Sequence, residues 1–326
     1  MKSSEILEQN LLVIMEIARY APSVHNTQPW MVTRTGNLLR VAIDPKHQLH
    51  DGDPTGRQTT ISLGIFCESL RLAGASVGLE AVSVELVDGG ATVRFEVNTS
   101  DVKLDETLEE TVELLKHRAS DRSIYTPSDT DEKLQNIFDS CSIIGKTTVL
   151  FKTDPAVINQ VADLTGKAIN VALSSPGFRN ELSQYLVTQG SSKKRGITVR
   201  SLYINPVIAF LQPFMLRHAI NLGAEAKLEK LRWLSASGLV IITAPGDMPK
   251  YWIEVGQSYL RASLAIERAG LSQATSAAIV EASNYHDDVE ATLGTSQRIL
   301  AVIRVGAGSN KRQYSPRITA AELLGQ

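Results

Sequence analysis

The spacing of apolar residues predicts a chain in which helices alternate with short strands. Apolar residues recur every three to four positions over residues 5–20, 61–77, 104–117, 155–173 and 251–269, and each of these segments is predicted to be a helix. Strands are predicted at 38–43, 82–86, 93–97, 147–151, 239–243 and 299–305. The last two runs show no polar alternation, which is typical of central strands buried on both faces.

The chain is long enough for two halves. At 326 residues it exceeds the size at which single cores usually stop growing, so two domains or two fused halves are favoured over one compact unit. We place the halves at 1–102 and 103–326, and Asp88-Gly89-Gly90 predicts a hairpin in the first. Residues 174–216 are broken by glycines and prolines around a basic patch, and we interpret them as an irregular, lid-like insertion.

Composition excludes several classes of partner. The chain carries 33 basic and 35 acidic residues, so its charge gives no reason to expect nucleic acid or an anionic membrane as a partner. Cys67 and Cys141 are too few for a disulfide framework. No apolar run is long enough to span a membrane, and the first twenty residues lack a signal core, so a soluble, cytoplasmic protein is expected.

The densest cluster of constrained and polar residues is the run from 21 to 30, Ala-Pro-Ser-Val-His-Asn-Thr-Gln-Pro-Trp. Its two prolines fix backbone angles, while Ser23, Asn26 and Gln28 offer donors and acceptors. Residue types alone also allow a simpler interpretation, in which the prolines and Trp30 stop a helix and anchor a turn. The run resembles the ring-contacting loop of the nitroreductase superfamily of flavoproteins. That resemblance implies that Pro22, Ser23, Asn26 and Gln28 contact the flavin, with Trp30 in the core.

A second motif, Arg118-Ala119-Ser120-Asp121-Arg122, follows a predicted helix. Two guanidinium groups and a hydroxyl could hold a phosphate, but the motif could equally be a solvated turn in which Asp121 pairs with one arginine. It resembles the superfamily motif that binds the terminal phosphate of FMN. There the motif precedes the polar loop, whereas here it follows the loop by about ninety residues.

The reversed order resembles the Acg-like branch of the superfamily, in which two partners of a dimer are fused and one flavin site remains. This resemblance implies an α+β, nitroreductase-like fold of two related halves with mixed, mostly antiparallel sheets flanked by helices. It also implies that Arg317 contacts the phosphate and that Ser276 and Ala277 lie near the reactive edge of the flavin. A metal at His47, His50, Asp51 and Asp53 is not supported by ligand spacing.

The resemblance implies an FMN-dependent oxidoreductase in which NAD(P)H reduces the flavin and a nitroaromatic, quinone or similar acceptor oxidises it. The cofactor carries the chemistry, so no catalytic side chain is expected. A non-catalytic FMN-binding or FMN-storage protein, with the flavin under the lid, is the alternative, and an enzyme that degrades flavin is a weaker one. We expect a monomer containing an internal pseudo-dimer, with small molecules as partners.

Overall fold

The computed structural model describes residues 2–98, 106–126, 134, 135, 138, 144–309 and 313–325. Cys141 lies outside these residues. The described helices are α1 Ser3–Gln9, α2 Leu11–Ala18, α3 Arg57–Ala75, α4 Glu106–His117, α5 Pro155–Ser174, α6 Pro176–Gln184, α7 Pro206–Arg217, α8 Leu222–Leu234, α9 Pro249–Arg268, α10 Ala278–Glu281, α11 Tyr285–Leu293 and α12 Ala320–Leu323. The strands are β1 Trp30–Thr35, β2 Leu38–Ile43, β3 Leu79–Val87, β4 Gly90–Val97, β5 Thr148–Lys152, β6 Leu186–Val187, β7 Ile197–Thr198, β8 Gly238–Ala244, β9 Ser272–Thr275 and β10 Arg298–Gly306.

Two four-stranded sheets share one topology. The first has the strand order β1-β2-β4-β3 and the second the order β5-β8-β10-β9, and every neighbouring pair in both is antiparallel. In each sheet two strands are followed by a long helix, α3 or α9, and then by two more strands. A short parallel pair, β6 and β7, lies outside both sheets. The predicted α+β fold with mixed, mostly antiparallel sheets is confirmed.

The long helices α3 and α9 cross at two glycines. A Cβ atom on Gly64 would lie 2.2 Å from the carbonyl oxygen of Ile253, and one on Gly256 would lie 2.1 Å from that of Ile61. Each glycine therefore faces the residue three positions before the other glycine. A reciprocal contact of this kind is what a twofold axis produces between equivalent elements.

The second sheet is buried on both faces, as its sequence predicts. Every residue of β8 is buried, and its side chains alternate between two cores. Val240 and Ile242 join the main core, which also contains α3, α9 and the first sheet. Leu239 and Ile241 face a second core that includes residues of α5 and α11. The predicted hairpin is also confirmed, since β3 and β4 pair on either side of Asp88-Gly89.

The prediction of one continuous helix near the start of the chain was wrong. The single helix expected over 5–20 is two helices that meet at Asn10, whose side-chain amide donates to the carbonyl oxygen of Ile6 at 2.9 Å. Polar side chains that bond the backbone in this way compete with helix continuation.

In the described part of the chain, no helix has the length and apolarity that a membrane crossing needs.

The segment expected to be irregular is largely helical. Its Pro176 and Pro206 begin α6 and α7, where Ser175 and Asn205 accept hydrogen bonds from backbone N–H groups as N-caps. Proline is well tolerated at the first helical position because its missing N–H would have no partner there. Residues 176–217, called here the covering segment, also have a small apolar core of their own.

Candidate functional site

The polar loop between α2 and β1 has an unusual backbone. His25, Asn26 and Gln28 all have positive φ angles, of 46°, 54° and 48°. Such conformations cost free energy in residues other than glycine and are often found at functional sites. Two hydrogen bonds hold the loop: Gln28 N–H donates to Ser23 Oγ at 2.9 Å, and Val24 N–H donates to Ser62 Oγ on α3 at 3.1 Å.

Asn26 fastens the loop to other parts of the protein, which differs from its predicted role. Its side-chain amide donates to the carbonyl oxygens of Gly196 at 2.9 Å and Pro316 at 2.8 Å, and its Oδ1 accepts from Arg317. In return Gly196 N–H donates to the Asn26 carbonyl oxygen at 3.0 Å. Since both amide donors and the oxygen are engaged, the side chain has little capacity left to bind the edge of a flavin.

Gln28, which the resemblance places at the flavin, makes hydrogen bonds within the protein. Its side chain is fully buried and lines neither of the two cavities described below. The amide nitrogen donates to the carbonyl oxygen of Lys194 at 2.9 Å, and the amide oxygen accepts from Ile318 N–H at 3.0 Å. Gln28 therefore joins the loop to the covering segment and to the C-terminal segment. Trp30 lies in the core, as predicted, and stacks on Phe66 at 4.4 Å between ring centroids.

The arginine motif follows directly after α4, and its aspartate does not pair with an arginine as the solvated-turn interpretation requires. Asp121 is buried, and its carboxylate accepts from Ser123 N–H at 2.9 Å, Ser309 N–H at 2.8 Å and Ser272 Oγ at 3.1 Å. These bonds fill three of the roughly four acceptor positions of the carboxylate with neutral donors. The aspartate thus shapes the turn and leaves the charges of Arg118 and Arg122 to other partners.

The loop and the arginine motif line one cavity of about 250 Å³. The predicted residues that meet there are Pro22, Ser23, Asn26, Arg118, Ser120, Arg122 and Arg317. The loop belongs to the part of the chain that forms the first sheet, whereas the arginines accompany the second. The structure therefore brings together predicted residues that are almost three hundred positions apart.

Positive charge is concentrated at this cavity. Burial, and after it the neighbouring Arg118 and Arg19, lowers the pKa of Arg317 to about 9. Burial likewise lowers the pKa of Arg122, which Arg232 and Arg304 lower further although Glu229 opposes them. A guanidinium group loses its proton more easily where burial removes hydration and like charges lie close. The cavity wall is therefore suited to an anion such as a phosphate.

A second cavity, of about 470 Å³, adjoins the first. The two share six lining residues: Pro22, Ser23, His25, Ser120, Arg122 and Ile197. Ser276 and Ala277, both predicted site residues, line the second cavity where β9 leads into α10, and Tyr259 of α9 lies there too. All predicted site residues except Gln28 thus line one of two adjoining cavities, with the cationic groups at one end.

His25 was missed by the sequence analysis. It lines both cavities, and its Nδ1 is buried without a hydrogen-bond partner in the part of the chain that the structure describes. Burial first, and the charge of Arg122 second, lowers the pKa of His25 to about 4. The imidazole is therefore neutral near pH 7 and has one ring nitrogen to offer a ligand. Its position in the middle of the polar loop is the feature of the sequence that could have identified it as a site residue.

Asp53 and Arg57 hold the start of α3 and the wall of the second cavity in place. The Asp53 carboxylate accepts from the backbone N–H groups of Gln58 and Thr59 in the first turn of α3. The Arg57 guanidinium bonds both carboxylate oxygens of Glu281, at 2.8 and 2.9 Å. Because Glu281 ends α10, this pair fixes the wall that contains Ser276 and Ala277.

The covering segment lies over the second cavity, and two of its attachments to the first-sheet part of the chain are as follows. One attachment is the bonding of Asn26 and Gln28 to Gly196 and Lys194. The other is Glu181 of α6, whose carboxylate accepts from His50 N–H at 2.6 Å and Gly52 N–H at 2.7 Å. Among the described residues, no group of three or more histidines, cysteines and carboxylates could hold a metal ion.

No protein-family model matches the chain. It is 34% identical over 73 residues to a Mycobacterium tuberculosis (strain CDC 1551 / Oshkosh) protein named "Putative NAD(P)H nitroreductase MT3217", a match that covers 22% of this chain and only 21% of that relative. It is 25% identical over 259 residues to "Probable NAD(P)H nitroreductase PigM" of Serratia sp. (strain ATCC 39006), covering 76% of this chain and 71% of PigM. The chain resembles the nitroreductases.

Solved structures of nitroreductases also align with the chain. The FMN-dependent nitroreductase NfnB from Mycobacterium smegmatis, in complex with NADPH, has 18% sequence identity and a TM-score of 0.45, and the alignment covers 67% of this chain and 97% of that one. Nitroreductase A from Vibrio parahaemolyticus aligns with a TM-score of 0.40 at 13% identity, over 65% of this chain and 73% of its own. The resemblance to the nitroreductases rests on the sequence relatives.

Proposed function

We propose that the chain binds FMN and acts as an oxidoreductase that takes electrons from NAD(P)H and passes them to a nitroaromatic, quinone or similar acceptor. The observation that carries the proposal is the adjoining pair of cavities, one end of which is lined by arginines and the other by small and apolar residues. The nitroreductase names of the sequence relatives support the same reaction class.

The residues present fit the phosphate of FMN. Arg118, Arg122 and Arg317 line the smaller cavity together with Ser120, and burial lowers the pKa of Arg122 and Arg317. A phosphate dianion would compensate these charges and accept hydrogen bonds from planar donor groups. One arginine-lined cavity beside a larger cavity matches a mononucleotide better than a dinucleotide.

The second cavity fits the ring system. Pro22, Ser23 and His25 lie where the two cavities meet, and Ser276 and Ala277 form a wall without large side chains. Ser23 has a hydroxyl and His25 a neutral imidazole with which to bind polar edge atoms. When bound, FMN supplies hydride acceptance and electron transfer, so the protein needs only to hold the ring, exclude water and admit the two substrates.

We also propose that the chain is an internal pseudo-dimer of the Acg-like type with one FMN per chain, and that it works in the cytoplasm. The identical strand order of the two sheets and the reciprocal packing of α3 and α9 support the pseudo-dimer. One loop and one arginine cluster line the adjoining cavities, which supports a single site.

FMN storage is the second candidate function. It is favoured by the covering segment, which lies over the larger cavity and is tied to the polar loop through Asn26 and Gln28. A cover of this kind could exclude nicotinamide from the ring. An enzyme is favoured instead by the lining of the larger cavity, which extends from Ser276 and Ala277 to Gln212 and Glu225 of α7 and α8.

One experiment tests the cofactor and separates the two functions. Flavin would be released from the purified protein by heat, identified by chromatography and counted per chain. The loaded protein would then be mixed anaerobically with NADPH or NADH while the visible absorbance of oxidised flavin is followed. We expect one FMN per chain and bleaching within seconds. FAD, two FMN or no flavin would contradict the proposed site, and FMN that stays oxidised would support storage.

A further inference from the structure

The larger cavity continues beyond the small-residue wall into a chamber under the covering segment. Its wall is apolar where α5, α6 and α7 face inward, with Ile169, Leu173, Phe178, Leu182, Leu202 and Leu216 lining it. None of these residues belongs to the predicted cofactor site. The chamber is therefore a continuation of the cavity whose lining favours an apolar or aromatic body.

A buried glutamine with an unused acceptor lines this chamber. Gln212 of α7 is 4% exposed, and its amide nitrogen donates to Glu225 Oε1 at 2.9 Å. Its Oε1 is buried and has no hydrogen-bond partner among the described residues. The assignment of the two amide atoms follows from the carboxylate, which can accept from nitrogen but not from oxygen. A buried carbonyl oxygen without a partner is destabilising, and a bound donor would satisfy it.

The charged group bonded to Gln212 is the carboxylate of Glu225. Glu225 and Glu229 both line this cavity, and so do Arg122 and Arg232. Glu229 is already engaged, since its carboxylate accepts from Trp233 Nε1 at 2.9 Å and lies 3.2 Å from the Arg232 guanidinium. Arg232 also donates to the Leu202 carbonyl oxygen. Glu225 accepts a hydrogen bond from the neutral amide of Gln212, and this bond does not offset its negative charge. The part of the chamber beside Gln212 therefore favours a ligand group that donates hydrogen bonds.

We infer that this chamber binds the electron acceptor, and that it selects a largely apolar or aromatic molecule whose far end donates hydrogen bonds, such as an amine, amide N–H or hydroxyl. The donor end binds Gln212 Oε1 and the Glu225 carboxylate, and a carboxylate in the same place is rejected. This inference rests on the proposed function, because it identifies the class of molecule that the FMN-loaded protein reduces.

The test uses two probes of equal shape and opposite end groups, 4-phenylbenzylamine and 4-phenylbenzoate, with the FMN-loaded protein. Binding is measured by isothermal titration calorimetry, so the readout does not depend on turnover. We expect the amine to bind at least tenfold more tightly than the benzoate. Gln212→Leu should weaken amine binding about tenfold, the effect of one lost hydrogen bond, without weakening benzoate binding.

Two further variants complete the design. Gln160→Leu makes the same change at an exposed position of α5 and should leave both affinities as they are. Glu225→Gln removes the negative charge and should also weaken amine binding, which keeps the test decisive if Gln212→Leu does not fold. Equal binding of the two probes, or an amine affinity within twofold of wild type in both chamber variants at full FMN content, would overturn the inference. A wild-type protein without FMN would instead contradict the proposed function.

Discussion

The polar loop and the arginine motif were equally rich in hydrogen-bonding residues, yet they use them differently. In the loop, the amides of Asn26 and Gln28 are engaged by Gly196, Lys194 and the C-terminal segment. At the smaller cavity, burial and neighbouring cations lower the pKa values of Arg122 and Arg317. Residue types alone therefore do not distinguish amides that fasten the structure from charged groups that line a cavity. The contacts and the local charge in the structure distinguish them.

The two sheets give the same lesson at a larger scale. β1 and β2 are joined by a tight turn, whereas the equivalent β5 and β8 are separated by four helices, two of which belong to the covering segment. The part of the chain that forms the first sheet thus contributes the loop, while the part that forms the second contributes the arginines and most of the residues that line the larger cavity. The likeness of the two halves is in their strand order, and their differences lie at the cavities.

The largest effect is expected from the arginine motif. Replacing Arg118 and Arg122 by alanine removes two charge-assisted contacts to phosphate, each worth about 1.5–3 kcal/mol, so FMN affinity should fall roughly 100-fold or more. Riboflavin, which lacks the phosphate, should lose much less. Titration of the apoprotein with both ligands measures the difference, and Arg94→Ala on the exposed face of β4 is the matched control. Equal losses for FMN and riboflavin would show that the arginines support the fold.

A smaller effect is expected from Asn26→Ala. The change removes the amide donor to the carbonyl oxygens of Gly196 and Pro316 and the acceptor of Arg317, which should lower the free energy of unfolding by about 2–4 kcal/mol. The covering segment should also detach more readily, so trypsin should cut faster at the basic residues 193–195. Urea unfolding and timed proteolysis measure both, with Asn37→Ala in the β1–β2 turn as control. Unchanged cleavage would mean that Asn26 does not fasten the segment.

The sequence predicted most of this fold because its strongest signals are local. The three-to-four-residue spacing of apolar side chains is sufficient to predict the helices α3 and α9. Continuous apolar runs are sufficient to predict the strands β8 and β10. β1 was missed because its six residues follow the loop directly. The roles of Asn26 and Arg57 were missed because their partners lie 170 and 224 positions away, and no local pattern reveals such pairs. The arginine cluster was identified through its resemblance to a known motif.

The pH dependence of stability should report the burial of His25. Its pKa is about 4 in the folded protein against 6.5 for the unfolded reference, so the unfolded chain binds the proton first as the pH falls. The stability present above pH 6.5 should therefore decrease by about 2–3 kcal/mol towards pH 4. Urea unfolding at several pH values should show a shallower decrease for His25→Asn. The exposed His117→Asn is the control, and identical slopes would place His25 in contact with water.

The smallest effect is expected at the crossing of the two long helices, which aligns the loop with the arginines. Gly64→Ala places a Cβ atom 2.2 Å from the Ile253 carbonyl oxygen, so the helices must separate, at a cost of about 1–3 kcal/mol. Gly223→Ala in α8 is the matched control, because a Cβ atom there meets nothing within 4 Å and alanine should stabilise the helix by about 0.5–1 kcal/mol. Opposite signs in urea unfolding are therefore expected. Since both halves line the cavities, FMN affinity should fall in Gly64→Ala alone, and full affinity there would show that the site tolerates movement between the halves.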